Sequence, residues 1–410
     1  MMKIAQNDFL KTHLLYPFYR GLFFLLIWFI VFDGIRDSLV FSPYLSLLRE
    51  ATIALVFFSS LFTINFSFRV NYFSISIVCL FFIFVYGSVY SVSPIYPNLP
   101  SVSNSVTVLY KHFQFFMLLF SFMHIEKLTG KSIEHYAKLM VYLLFFASII
   151  TPLVYLHPPF FFKDNFLQWG RIGIGYPTMD AQVFCFGIVI TLYLLDFSYL
   201  KKNVLVGTLV LGVLMQVTGT GFATLAFLIV FFVFIDKKNK LLSFSPLFFI
   251  LFLTVTFVVS KFGDELKKIL YLLNEKIDDL MNFGQGVSTE IRQKQFEKLY
   301  DIVSGYDDQL LLGIGSNIYV ENQYSFFIIG FGLVGFIVFA LYLLSMMFSG
   351  LMFIKYDKGF FLLSTVIFSL ASYSLVSFYL YPLYSAYAFI TSCHIVQVRR
   401  SLNFDKLKKN

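Results

Sequence analysis

Charge is what this chain has least of. Asp, Glu, Lys and Arg make up 13% of its 410 residues, where a water-soluble domain carries roughly a quarter. The hydrophobic share is 58% and the mean hydropathy +0.78. One water-soluble core of ordinary proportions cannot hide that much apolar surface, so lipid has to cover much of it. Cysteine is also scarce. Cys79, Cys185 and Cys393 lie far apart inside apolar stretches, a spacing that excludes a disulfide framework or a cysteine metal site, and they read as small core hydrophobes. Neither a metal nor a cofactor is expected. After the first apolar stretch, which follows Lys3 and Lys11, there is no small-residue cleavage site, so that stretch is expected to remain as an uncleaved anchor. Internal repeats are missing too, which weighs against a repeat-symmetric transporter. The net charge of +8 could point to nucleic acid. The basic residues, however, sit in short clusters between apolar spans, where positive-inside bias is the usual cause, so no nucleic-acid partner is expected.

A bilayer core of about 30 Å takes about 20 helical residues. From Asn203 the chain has no charge until Asp236, and a single helix of that length would reach about 50 Å. It has to fold back, and Thr218-Gly219-Thr220-Gly221 is its only turn-like point. The same argument divides Gly359 to Val398 near Tyr381-Pro382, and Val70 to Tyr110 at Pro94, Pro97 and Pro100. The expected fold is an all-α integral membrane protein of about twelve transmembrane helices. They lie near 18–35, 51–68, 71–90, 106–124, 137–156, 177–195, 204–217, 221–235, 242–260, 323–347, 359–377 and 380–396. Residues 1–260 hold spans one to nine, 261–322 a large extracytoplasmic loop subdomain, 323–398 spans ten to twelve, and 399–410 a basic cytoplasmic tail.

With the N-terminus inside, 19 of the 31 Lys and Arg fall on the cytoplasmic side and 12 outside, seven of the 12 within the long loop. Long translocated segments largely escape the charge rule. The remaining count is 19 against 5, which places both termini in the cytoplasm of a bacterial inner-membrane protein. Residues 261–321 carry 18 of the 54 formal charges (31 plus 23), so they are expected to fold in water at the outer mouth. Leu266, Ile269, Leu270, Leu273, Ile277 and Leu280, then Ile291, Phe296, Leu299 and Val303, repeat at helical spacing. Two amphipathic helices are expected there, and the spans themselves are expected to stay apolar with polarity concentrated on the outer face.

Four outward arginines stand against the charge bias: Arg36, Arg49, Arg171 and Arg292. A guanidinium fork binds phosphate bidentately as an ammonium cannot, whereas salt bridging or headgroup contact is the more ordinary role for Arg36 and Arg49. Arg171 lies in Trp169-Gly170-Arg171-Ile172-Gly173-Ile174-Gly175-Tyr176-Pro177, where glycine backbone can approach a ligand closely. Asp180 follows one turn into span six. An ionisable group at membrane depth marks a functional site by default, the alternative being a solvated interfacial aspartate. Further on come Arg292 and Phe296, then Gly313-Ile314-Gly315, then Glu321-Asn322-Gln323-Tyr324, then Gly332-Leu333-Val334-Gly335. Each piece has a plain alternative: a surface arginine, a turn, a polar helix start, small residues that let helices pack.

Taken in that order, the pieces resemble the O-antigen polymerase and ligase superfamily, the Wzy-type polymerases and their lipopolysaccharide-ligase relatives. Arg171 to Pro177 is similar to that superfamily's periplasmic arginine before a Gly/Pro-containing approach to a span. Arg292 with Phe296 is similar to its arginine four residues before an aromatic. Gly313 and Gly315 then lead to Asn322, nine residues, Gly332, two residues and Gly335, the spacing of its His-Asn-type dipeptide and Gly-x-x-Gly. Glu321 stands where ligases carry histidine, which favours a polymerase. Thr218 to Gly221 is similar to the family's Thr-Gly-Ser-Arg turn with Gly221 in the arginine's place, so that arginine's role is not carried over. The resemblance implies transfer of an undecaprenyl-pyrophosphate-linked glycan to a sugar hydroxyl of an incoming lipid-linked repeat unit, building O-antigen, capsule or exopolysaccharide. Arg171 and Arg292 would stabilise the leaving pyrophosphate and Glu321 would take or position the hydroxyl proton, or pair with Arg292 to close the loop. Asn322, Tyr324, Asp180, Tyr176, Gly313 and Gly315 are the implied substrate-binding residues. The implied partners are the lipid-linked oligosaccharide, membrane lipids, a chain-length regulator and a flippase. A flippase or transporter, or an O-antigen ligase, are the competing readings.

Overall fold

The structure is a computed structural model. It describes residues 15–36, 39–62, 72–92, 105–156, 177–234, 271, 287–305, 307–316, 318 and 320–409. Their regular elements are helices. In chain order these are α1 (Tyr16–Arg36), α2 (Ser42–Leu61), α3 (Tyr72–Val92), α4 (Ser105–Met123), α5 (Ile125–Thr129), α6 (Ile133–Leu156), α7 (Pro177–Val189), α8 (Tyr199–Met215) and α9 (Gly219–Phe234). After them come α10 (Val287–Ser304), α11 (Asp307–Leu312), α12 (Gln323–Met352), α13 (Ile354–Asp357), α14 (Phe360–Ser374) and α15 (Tyr381–Lys409). A π-helical turn, Ile190–Leu194, continues α7.

Five stretches are long and apolar enough to cross a membrane: Tyr16–Gly34, Ser42–Leu61, Ile133–Thr151, Pro177–Leu194 and Gln323–Met352. Ser74–Val89, Gly219–Phe232 and Phe360–Ser374 are shorter apolar helices. The protein is therefore all-α among its described residues and built to sit in a membrane. Span nine, at 242–260, the first amphipathic helix of the long loop and the proline stretch at 94–100 lie outside the described residues. The second amphipathic helix is α10, with Val303 buried and Phe296 packed on the core.

Local chemistry sets the breaks. Pro43 starts α2 from its first turn, where a missing N–H costs nothing. The expected fold-back at Thr218 separates α8 from α9, and Thr218 Oγ1 accepts the Gly221 N–H at 3.2 Å. The expected break near Tyr381 separates α14 from α15. Above it, Phe378 lies 5.0 Å from Phe115, 5.1 Å from Phe368 and 5.4 Å from Phe84, ring centre to ring centre. Edge-to-face aromatic pairs of this kind add to burial and tie α3, α4 and α14 to the 375–380 segment. The α7 stretch is 83% buried and that of α2 28%, so α7 is the bundle's central helix and α2 a peripheral one.

The bundle has two ends. The C-terminus of α1 and the N-termini of α2, α4, α7, α12 and α15 share one, called here the Arg36 end. The other, the Arg400 end, joins Arg400 to Glu126 and Glu134 and Arg20 Nε to the Thr129 carbonyl at 2.9 Å. Two expectations are corrected. Polarity is not confined to one face, because at the Arg400 end a buried chain runs from Asp357 Oδ2 to His394 Nδ1 at 2.8 Å and from His394 Nε2 to Ser349 Oγ at 3.0 Å. It fastens the α12–α14 connection to α15, and Asp357 also accepts the Gly359 N–H at 3.0 Å. Second, Cys185 and Cys393 are buried, but Cys79 of α3 is exposed and is not a core residue.

Candidate functional site at the Arg36 end

The site is organised by a break inside α12. Gly332 adopts φ 66°, ψ −167°, a region essentially reserved for glycine. The break frees carbonyls that a continuous helix would use. Ile329 and Gly330 accept instead from Ile314 N at 3.0 Å and Gly315 N at 2.8 Å. Gly313 and Gly315 have φ of 79° and 96°. A side chain at 313 would collide with the backbone of Gly330 and Phe331, and one at 332 with the backbone of Leu311 and Gly313. The two glycine motifs thus lay backbone directly on backbone. On the other side, Ser316 donates through N and Oγ to the Gly87 carbonyl, each at 3.1 Å, and Tyr86 OH donates to the Leu312 carbonyl at 3.2 Å. The loop after α11 is bolted to both α3 and α12.

That docking brings α10 over the start of α12. Arg292 Nε lies 3.6 Å from Glu321 Oε2, with side chains 23% and 32% exposed. This distance is an ion pair but too long for a hydrogen bond, and Arg292 Nε has no hydrogen-bond partner among the described residues. Along the exposed face of α10, the Lys294 ammonium, hydrogen-bonded to Glu290, holds that carboxyl below its ordinary range. Asn322 caps α12, its Oδ1 accepting from Tyr324 N at 2.8 Å and Ser325 N at 3.2 Å. Tyr324 OH donates to the Ser369 carbonyl at 2.9 Å and joins α12 to α14. Gln323 is buried, and its Oε1 accepts the Phe378 N–H at 2.9 Å.

Of the expected site residues, Arg292 and Glu321 are brought together, Asn322 and Tyr324 follow at the start of α12, and Gly313 and Gly315 dock further along it on Ile329 and Gly330. In this geometry the glycines serve backbone contact and the Asn322 oxygen serves a cap. Arg171 and Tyr176 lie outside the described residues. Asp180 sits apart from the Arg292 pair, in the first turn of α7, with its carboxylate against Gly34 of α1.

A buried network at the same end escapes sequence reasoning. Arg49 is 8% exposed. Its Nη1 donates to Asp33 Oδ1 at 2.7 Å, its Nη2 pairs with Glu50, and its guanidinium lies 4.6 Å above the Tyr381 ring centre. Arg36 Nε donates to the same Asp33 oxygen at 2.8 Å, and Arg36 also reaches Ser46. Glu50 accepts from Gln114, whose own carbonyl oxygen accepts from Tyr384 OH. Arg36 and Arg49 thus take the salt-bridging role. The Asp33–Arg36 spacing of three residues was a usable signal; Gln114 and Tyr384 carry none.

Chemically, the half-exposed Arg292–Glu321 pair is the exchangeable part. A guanidinium in such a partly solvated pair can exchange a carboxylate for an incoming phosphate. The buried Arg49 network cannot exchange partners without leaving charge unpaired in a low-dielectric interior. Neither a family model nor a curated protein matches the chain, so its function has to be argued from the chemistry of this site.

Proposed function

We propose that the protein polymerises lipid-linked oligosaccharide repeat units on the outer face of a bacterial inner membrane, through twelve spans with both termini in the cytoplasm and the Arg36 end outward. The observation that supports this reading is that Arg292 and Glu321, which the superfamily resemblance assigns to one reaction, lie 3.6 Å apart; the same ion pair also fits the alternative in which Glu321 closes the loop on Arg292, and the Glu321→Gln ladder decides between them. An acceptor sugar hydroxyl attacks the anomeric carbon of the donor glycan. A new glycosidic bond forms, the anomeric carbon–oxygen bond to the lipid pyrophosphate breaks, and the pyrophosphate leaves with the bonding electrons. Arg292, with Arg171, neutralises the charge gathering on that group, and Glu321 takes the hydroxyl proton. The lipid-linked repeat unit is donor and acceptor, no nucleotide sugar is required, and a chain-length regulator and a flippase are the partners this reading implies. Glutamate in place of the ligase histidine favours a polymerase over a ligase.

Glu321→Gln keeps size and removes the base. Cells carrying it should make single repeat units on the lipid A core and no ladder, with the protein at its normal level. Persistence of long ladders would sink the assignment.

A further inference from the structure

We propose that the Arg400 end binds one anionic phospholipid, its phosphate held by Arg399 and Lys127 and its chains laid against the apolar face at the C-terminus of α2. The site lies at the opposite end from Arg292 and Glu321 and stands independently of the polymerase reading. It begins with two neighbouring arginines that the fold treats differently. Arg400 is engaged, its Nη1 donating to Glu134 at 2.7 Å and its Nη2 pairing with Glu126. Glu126 also accepts the Ile133 N–H at 2.9 Å, so both carboxylates are occupied. Arg399, one residue earlier on α15, has no ion pair or hydrogen bond among the described residues.

Burial pushes the Arg399 guanidinium below the ordinary arginine range, and no carboxylate acts against that shift. Lys127 of α5 is exposed and likewise makes no ion pair or hydrogen bond among the described residues. Both charges act on the His124 ring, which brings a guanidinium of α15 and an ammonium of α5 to the same side chain. Two such cations call for an anion, and a guanidinium fork suits the oxygens of a phosphate.

Basic residues at a membrane boundary are ordinary, and it is the apolar surface beside these that narrows the ligand to a lipid. His124 Nδ1 bonds the Phe120 carbonyl at 2.9 Å, with the two rings 4.6 Å apart, and the Phe120 ring lies 6.0 Å from that of Phe57 on α2. Phe57 leads to a face on which Phe58 is 59% exposed and Leu61 and Phe62 are exposed as well. Cations and apolar face are thus continuous, which matches a phosphate with hydrocarbon attached. A free phosphate would use only the first half of the surface. A zwitterionic headgroup would set its own ammonium beside Arg399 and Lys127, so charge favours an anionic lipid.

The test uses the purified full-length protein, delipidated in detergent. Thermal unfolding is followed against added phosphatidylglycerol, phosphatidylcholine with the same acyl chains, and inorganic phosphate, at equal ionic strength. A ligand that binds the folded state alone raises the midpoint with the logarithm of its concentration. The expected result is a climb with phosphatidylglycerol, a smaller one with phosphatidylcholine and none with inorganic phosphate. Arg399→Gln and Lys127→Gln should each weaken apparent affinity for phosphatidylglycerol about fivefold, and Arg399→Lys should weaken it less, because the charge remains. Phe58→Ser should weaken binding of both lipids. Lys355→Gln, exposed at the same end on α13, should change nothing. Equal responses to the two lipids overturn the proposal, as does an equal loss from Lys355→Gln, which would mark diffuse surface charge. A climb with inorganic phosphate that matches phosphatidylglycerol would make this a free-anion site and overturn the lipid assignment. If Arg399→Gln fails to fold, Lys127→Gln carries the same decision.

Discussion

Arginines that read alike in sequence do different work according to burial. Arg49 is 8% exposed and holds Asp33, Glu50 and the Tyr381 ring together. Truncating one member of such a buried set leaves its partners charged and unpaired, at a cost of about 3–5 kcal/mol. Arg49→Met should therefore lower unfolding stability by about that much, and in Asp33→Asn background the same change should cost clearly less, since the two losses share a contact. Strict additivity in that double-mutant cycle would remove the network from the stability account. Arg292 is the opposite case. Its pair with Glu321 is partly solvated at 3.6 Å, and pairs of that kind contribute roughly 0–1 kcal/mol. Arg292→Lys should leave the unfolding midpoint almost unchanged and, on the proposed polymerase reading, shorten the glycan chains, because lysine keeps the charge and loses the fork. Near-wild-type chain lengths would argue against bidentate phosphate binding.

At the scale of elements, the break in α12 is what places the site. Gly332 sits at φ 66° and Gly313 at φ 79°, and each would drive a side chain into the other segment's backbone. Conformational strain alone is worth about 1–3 kcal/mol at such positions, before the collision is counted. Gly332→Ala and Gly313→Ala should each lift the 313–315 loop from α12 and separate Arg292 from Glu321; on the proposed polymerase reading they should also abolish polymer. Gly21 of α1 has nothing within 4 Å of an added methyl, so Gly21→Ala should be neutral or slightly stabilising. Full polymer from Gly332→Ala would mean that the docked loop is not needed. The order and spacing of these glycines were legible in the sequence, but the reason for them was not. Gly-x-x-Gly reads as close packing between helices, whereas Gly332 interrupts its own helix and frees the Ile329 and Gly330 carbonyls for the Ile314 and Gly315 N–H groups. The fold-backs at Thr218 and Tyr381 were legible because an uncharged stretch was simply too long for one crossing. The Asp33–Arg49–Gln114–Tyr384 set was not, since its members come from α1, α2, α4 and α15 and no local periodicity links them.

Orientation belongs to the whole molecule, and here the two ends make it testable. The Arg36 end combines the buried ion network with the charged surface of α10, while the Arg400 end carries Lys355, Lys358, Arg399 and Arg400 beside the Asp357–His394 chain. By positive-inside bias, the proposed orientation has the Arg400 end in the cytoplasm. The Lys294 side chain is 70% exposed on α10 and Lys355 is exposed after α12. Both accept cysteine without disturbing a core. Native background is low, because Cys185 and Cys393 are buried and the exposed Cys79 can be changed to Ser. In spheroplasts a membrane-impermeant maleimide should label Lys294→Cys at once and Lys355→Cys only after the membrane is opened. The reverse pattern would turn the molecule over and put the Arg292–Glu321 pair in the cytoplasm, out of reach of repeat units that have already crossed. Labelling of both in intact spheroplasts would break the single orientation on which twelve spans and an outward Arg36 end depend.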